Sequence, residues 1–485
     1  MENLGAQSFS VDLINSLPEP LIHHILSFLD TKQAVRTGIL SKGWRNHWKS
    51  TPILNFHQHY NSTNSSNDEE VEEEDDDDSE TEYQEDDSET ENEREVEQRR
   101  NFISFVERTL VLHINPNIQK FRLSLKYSDR RYSSCVDAWI LFAIWRNVEE
   151  LCLDFFDSYD EYKVPSGLFN CDKLVSLTLK RCFIKTPKSV SFCSLAVLSI
   201  WDTTFSECMI KEILVGCPLL EDLVLVRCRF NMSYELCICS YSTHPSTLML
   251  KRLTMRACRN FGLKVEAPKL EILKVSGSIM GKYSFKKLVS LKEAKISFGS
   301  IGFGYHVGFP NLSVIDFRRA QALKLCNVCI QEIHCPLFNR SLYLVLNVER
   351  LTLLTGLQKY ELPGEGSFCP VQLYPFDERE YWAKRPSSFA SLTYSLKTVE
   401  ITGFMGEESE SSDDVAEFLD KQEYKLNFIR FLLEKAKVLE KMTIRVSEKP
   451  RFVEEKEWRK IVRKVGRKVK AMHKVSTGAK VIFSI

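Results

Sequence analysis

Apolar positions in residues 17–29 return on a helical period. Leu17, Leu21, Ile25 and Leu29 recur every four residues, and Ile22 and Leu26 widen the stripe. Ser16 and Glu19 hold the spacing of a capping box. Pro18 and Pro20 fall in the first turn, where backbone N–H groups lack helical partners anyway. Asp30 is placed to cap a second short helix carrying Ala34 and Val35, with Gly38 to end it. Ser41 is placed to cap a third, on which Trp44 and Trp48 stand side by side at i,i+4. So short a segment presents more apolar surface than three small helices can bury among themselves. It is expected to dock on another surface.

Further along, the pattern changes to L-x-x-L-x-L. Units begin at Ile118, Val148, Leu174, Leu195, Leu220, Leu250, Leu270, Leu291, Leu312 and Val348. From Val148 to Leu312 the spacings are 26, 21, 25, 30, 20, 21 and 21 residues, close to the range of leucine-rich repeats. Each unit predicts a short strand, and stacked strands predict one parallel sheet, because a single unit cannot bury its own apolar face. Cys182, Cys228 and Cys258 follow the last leucine-type position of their units by three residues. A small buried side chain turns the chain out of the strand there, so these cysteines read as structural thiols. In "CNVCIQEIHC", Cys326, Cys329, His334 and Cys335 crowd together, but position 339, where a fourth ligand is expected, is Asn. Leu323, Leu325, Val328 and Ile330 make that stretch another irregular repeat strand, and no metal site is expected. After Leu396 a strand, a helix with Leu426, Ile429 and Leu433 on one face, and a strand through Met442 and Ile444 are predicted. A basic helix around Trp458 with Val462, Val465 and Val469 follows, and then a closing strand, "AKVIFSI".

The formal net charge of −1 conceals an asymmetry. Residues 68–97 hold 20 acidic side chains and one basic, Arg94, so the remainder carries +18. Residues 61–98 are nearly free of apolar side chains and are expected to form a disordered linker. No secretory signal or membrane-spanning apolar run is legible. The 15 cysteines, an odd number, then argue for reduced thiols and a cytoplasmic or nuclear location. No phosphate-cradling glycine loop, H-E-x-x-H or G-x-S-x-G occurs, so no catalytic residue and no cofactor is expected.

The opening stretch, with "LPEPLI", "ILSFL" and "LSKGW", resembles the F-box of plant proteins. The resemblance implies that the helical trio binds the Skp adaptor of a cullin-based SCF ubiquitin ligase. Leu17, Pro18, Ile22, Ile25, Leu26, Leu29, Leu40 and Trp44 then line the interface. Gly43 departs from the pattern, which often has Arg there. The C-terminal part resembles the FBD domain that follows leucine-rich repeats in many such proteins, and "VDAWILFAIWRNVEELCL" and "GCPLLEDLVL" are similar to their repeats. The expected fold is α/β. An F-box (residues 9–56) and the acidic linker (61–98) precede a curved repeat solenoid (101–355), and an α+β FBD cap (386–485) closes the chain.

The resemblance implies a substrate-recognition subunit, itself no enzyme, that holds a target protein near the conjugating machinery. The alternative is a non-proteolytic interaction scaffold. Strand alternation sends intervening residues to the concave face. Trp201, Val224, Val226, Arg252 and Arg256 are the expected target-binding residues there. No nucleic-acid or membrane partner is expected.

Overall fold

The computed structural model describes residues 14, 17–58, 87–127, 132–156, 161–185, 189–205, 207–230, 235–240, 248–258, 262–278, 282–299, 311–315, 320–326, 348–354, 390–405, 415–449 and 453–484. The chain divides into two compact units, Met1–Cys182 and Phe183–Ile485.

In the first unit, helix α1 (Glu19–Leu26) starts from Pro18. That residue sits at the N-cap with extended backbone and no side-chain cap. Ser16, expected to open a capping box, lies outside the described residues. Helix α2 (Thr31–Arg36) is capped by Asp30, whose Oδ1 accepts the Gln33 N–H at 2.7 Å. The Ser41 hydroxyl accepts the Trp44 N–H at 3.2 Å where a 3-10 segment, Trp44–Ser50, begins. Strand β1 (Ile53–His57) follows at once and pairs in parallel with β2 (Lys120–Lys126), Leu54 opposite Phe121. Strands β3 (Glu150–Phe156) and β4 (Ser176–Lys180) extend the sheet. Phe56, Phe121 and Phe155 are buried to 1% exposure or less. Helix α4 (Ser133–Trp145) adds Val136, Trp139, Ile140 and Ala143 to the core.

Two expectations change here. The acidic segment does not separate the helical trio from the repeats. It is inserted between two hydrogen-bonded neighbours, β1 and β2. Its last residues, from Asp87 on, also belong to helix α3 (Asp87–Leu112) rather than to a linker. Glu, Gln and Arg are good helix formers. The same helix later buries Ile103, Val106 and Leu110. Residues 61–86 lie outside the described residues.

In the second unit ten strands stand in chain order, all parallel. They are β5 (Val197–Trp201), β6 (Asp222–Val226), β7 (Arg252–Cys258), β8 (Ile272–Ser278), β9 (Glu293–Gly299), β10 (Ala322–Cys326), β11 (Arg350–Leu354), β12 (Thr398–Phe404), β13 (Lys441–Val446) and β14 (Lys480–Ser484). The part expected as a separate cap therefore continues the repeat sheet, with α6 (Ala390–Ser395), α7 (Val415–Lys435) and α8 (Glu455–Lys470) between its strands. Helix α5 (Glu207–Gly216) stands between β5 and β6. A second parallel sheet joins residues 235–238, 262–266, 282–286 and 311–315. Leu312, expected to open a unit of the main sheet, falls in this second one. The main-sheet strand of that region is β10. Cys329, His334 and Cys335 lie outside the described residues.

The leading positions of the described units are buried, from Ile118 and Val148 through Leu291 and Val348. At or just past the end of the strand in several units one residue turns left-handed: Arg181, Asp202, Arg227 and Ala257, with φ of 51–55°. That turn drives the next side chain inward, and it is Cys182, Thr203, Cys228 or Cys258, each at 1% exposure or less. A thiol or hydroxyl suits this corner because it is small and can donate to a nearby backbone carbonyl. Thr203 Oγ1 donates to Trp201 O at 3.0 Å, Cys182 Sγ to Lys180 O at 3.3 Å, and Cys228 Sγ to Ile200 O at 3.4 Å. No helix of the described residues is long and apolar enough to cross a membrane.

Candidate interaction surfaces

The N-terminal helices divide the expected docking residues into two groups. Ile22, Leu26 and Trp44 are only 2–4% exposed and form a small core with Ala34 and Trp48. Leu17 and Leu29 pack against that core, partly buried. These residues hold the trio together. The outward surface consists of Pro18, Ile25 and Leu40, the last 65% exposed. Three further residues join them: Leu21, Phe28 at 76% and Ile39 at 86%. Leu21, Ile25 and Phe28 follow i, i+4, i+7, so the period carried the signal for them. It did not separate the inward stripe from the outward one. Ile39 sits on a single 3-10 turn, Thr37–Ile39, that no pattern announces.

The trio is tied firmly to the first strands of the sheet. Thr31 Oγ1 accepts the Asn55 N–H of β1 at 2.7 Å. Ile114 N donates to Lys49 O at 2.9 Å, and Asn115 Nδ2 to Ser50 O at 2.7 Å. His113, 2% exposed, sets its Nε2 2.9 Å from Thr51 O, and its Nδ1 has no hydrogen-bond partner. Burial above all, with the Arg146 charge adding to it, holds this imidazole below its usual pKa, against the hydrogen bond to Thr51.

One cluster among the described residues could hold a metal ion. Glu19, His23 and His47 bring ligand atoms within 4.8 Å of one another. Their own contacts account for the arrangement. His23 Nε2 lies 3.0 Å from the Ser50 hydroxyl and 3.6 Å from Glu19 Oε1, and the Glu19 side chain is 61% exposed.

On the sheet face of the second unit, Trp201 is half-buried and Arg256 is exposed, its guanidinium 5.7 Å from the indole centroid. Val226, expected at the surface, is 2% exposed. Its strand runs between those of Trp201 and Arg256, whose register partner it is on either side. The cation–π pair closes over it. Val224 is half-buried. Arg252 Nε donates to Asp222 Oδ2 at 2.8 Å, an exposed pair that holds the side chain in place. Three buried thiols are far from nucleophilic. Burial pushes Cys182 and Cys228 well above the usual thiol range, and Cys217 up to about 12. A reactive cysteine needs the opposite shift.

Comparison with known proteins matches these parts one by one. The F-box domain family covers residues 14–56. The repeats of the FBD-associated F-box protein At5g56370 family cover 136–295, and the FBD family covers 387–444. The chain is 31% identical over 332 residues to the F-box/LRR-repeat protein At4g14103 of Arabidopsis thaliana, across 66% of this chain and 77% of that one. It is 26% identical over 451 residues to the F-box/FBD/LRR-repeat protein At1g13570 of the same plant, across 90% and 91%. With the F-box/LRR-repeat protein At3g59200, also of Arabidopsis thaliana, it shares 31% over 301 residues, 59% of this chain but only 50% of that one. A helical trio at the front of a parallel repeat sheet, matched part by part in this way, belongs to the plant F-box/LRR-repeat family, in the branch that carries an FBD region.

Proposed function

We propose that this protein is the substrate-recognition subunit of an SCF-type ubiquitin ligase. The F-box trio binds a Skp-type adaptor and through it a cullin, and the sheet face of the second unit receives a target protein. Family membership supports the adaptor role in general. The observation that carries the finer reading is the outward apolar surface of Leu21, Ile25, Phe28, Ile39 and Leu40. So many exposed large apolar side chains on so small a motif mark an interaction site rather than a monomer surface. The protein's contribution to chemistry is then proximity, which raises the effective concentration of the target beside the conjugating enzyme.

The test is adaptor capture by variants of exposed positions. Phe28→Glu and Leu40→Glu are expected to lower capture at least tenfold while the melting temperature stays within a degree or two of the wild type. Full capture by both variants would exclude this surface as the adaptor site. On the target side, Trp201→Ala and Arg256→Glu are expected to weaken target capture and leave adaptor binding unchanged.

A further inference from the structure

Strand register in the second unit lines up one row of side chains across five neighbouring strands, β7 to β11. It reads Thr254, Lys274, Lys295, Lys324, Thr352. All five are half-buried. Adjacent strands lie about 4.8 Å apart, so three ammonium groups share a row of about 10 Å. Like charges directly opposite one another in a sheet are destabilising. Lys274 has only a distant partner, Glu293 at 4.0 Å. Among the described residues no ion pair is formed by Lys295 or Lys324. Burial, and then the charges of Lys324, Lys274 and Arg256, hold the Lys295 amine below its usual pKa, with Glu293 opposing. The fold therefore carries a concentrated positive charge that costs it stability and that Glu293, 4.0 Å from Lys274, offsets only in part.

We propose that this lysine row is a binding site for a carboxylate-rich peptide segment of the target protein. Its central cations are to be met by clustered Asp or Glu side chains, and the Thr254 and Thr352 hydroxyls stand at its two ends as further hydrogen-bond donors. The proposal rests on the reading that this face receives the target. The layout favours a short acidic segment over a nucleic acid. One strand beyond Thr352 the row meets Glu400, and in the neighbouring row Asp222 and Glu293 alternate with Arg252 and Arg350. A long polyanion continuing along the lysine row would run onto Glu400. An acidic stretch about four to six residues long, at about 3.3 Å per extended residue, spans the row from Thr254 to Thr352.

The experiment measures binding of fluorescein-labelled hexaglutamate to the full chain by fluorescence anisotropy. Hexaserine and single-stranded hexathymidylate serve as the other probes. Hexaglutamate is expected to bind in low salt and to weaken as salt rises, and hexaserine not to bind. Lys295→Gln should lower hexaglutamate affinity at least tenfold. Lys441→Gln, an exposed lysine elsewhere on the same sheet, should lower it less than twofold. Lys295→Gln should also melt at the same temperature as the wild type or higher, because it removes a repulsive charge. Equal losses for the two variants, no loss for Lys295→Gln, a fall in its melting temperature, or tighter binding of hexathymidylate would each overturn the proposal. Adaptor capture by the same variants is scored in parallel. Loss of peptide binding with capture intact supports the row. Intact capture with unchanged peptide binding refutes the row alone and leaves the adaptor reading standing.

Discussion

Ile22 and Leu40 show how differently two leucine-type residues of one motif can act. Ile22 lies in the core of the helical trio and Leu40 on its outside. Ile22→Ala removes a packed side chain and leaves a cavity, a change that costs about 2–5 kcal/mol in a core. Chemical denaturation of the full chain should show an early loss of the N-terminal helices. A binding assay on that variant alone would confuse unfolding with a lost contact, so the exposed positions make the cleaner test. His113 carries a second prediction at this scale. Its pKa in the folded protein is lowered below the ordinary value near 6.5. As the pH falls below about 6.5, the unfolded chain takes up a proton that the folded chain does not, so stability declines from there down to the folded-state pKa. His113→Gln, which can still donate to Thr51 O, should flatten this part of the stability profile. An unchanged slope between pH 7 and 5 would remove His113 as its source.

Among the elements, helix α5 meets its surroundings at Gly216. A Cβ on that residue would lie 2.1 Å from the Val190 carbonyl oxygen. The carbonyl of Gly216 also accepts the Phe192 N–H at 2.9 Å. The end of the helix and residues 190–192 are thus stacked backbone against backbone, with no flexible side chain to give way. Gly216→Ala should cost about 1–3 kcal/mol by overpacking, although Ala is the better helix former. A thermal melt of the variant checks this, and an unchanged midpoint would mean that the two segments separate freely. Helix α8 illustrates the legible case. Trp458, Val462 and Val469 are buried on one face while its lysines and arginines face water, as the spacing of those residues predicts. Helix α3 illustrates the opposite one. The acidic composition of its first turns resembles a linker, and only the buried Ile103, Val106 and Leu110 further on reveal an element that begins at Asp87.

For the whole molecule the consequence lies in where the acidic segment enters. It connects two neighbouring strands, so removing residues 68–86 leaves both ends of the insertion in place. The formal charge changes from −1 to +13. Loop closure changes only logarithmically with length, so stability should move by no more than about 1 kcal/mol. A larger drop in the melting temperature would show that the segment packs on the body. A chain that begins at residue 59 is a different case. It loses β1, uncovers the edge of β2, and exposes Phe121 beside the missing Phe56. This truncation should aggregate or melt far earlier. The F-box trio is thus the front of the first unit and not a detachable module.

The sequence by itself determined the identity of the parts. Apolar periods of four and of L-x-x-L-x-L depend on which side chains must leave water, and that follows from local spacing alone. So does the role of Cys182, Cys228 and Cys258, whose place in the unit fixes their burial. What only the tertiary structure decided was which members of each stripe face out and which strands become neighbours. Ile22 and Ile25 are equally apolar, and their fates differ because Trp44 and Trp48 return to cover only one of them. Val226 reads as a surface residue until Trp201 and Arg256 close over it from the flanking strands. The lysine row exists only because register aligns three residues from strands far apart in the chain. Such alignment is a property of stacking, and no window of sequence contains it.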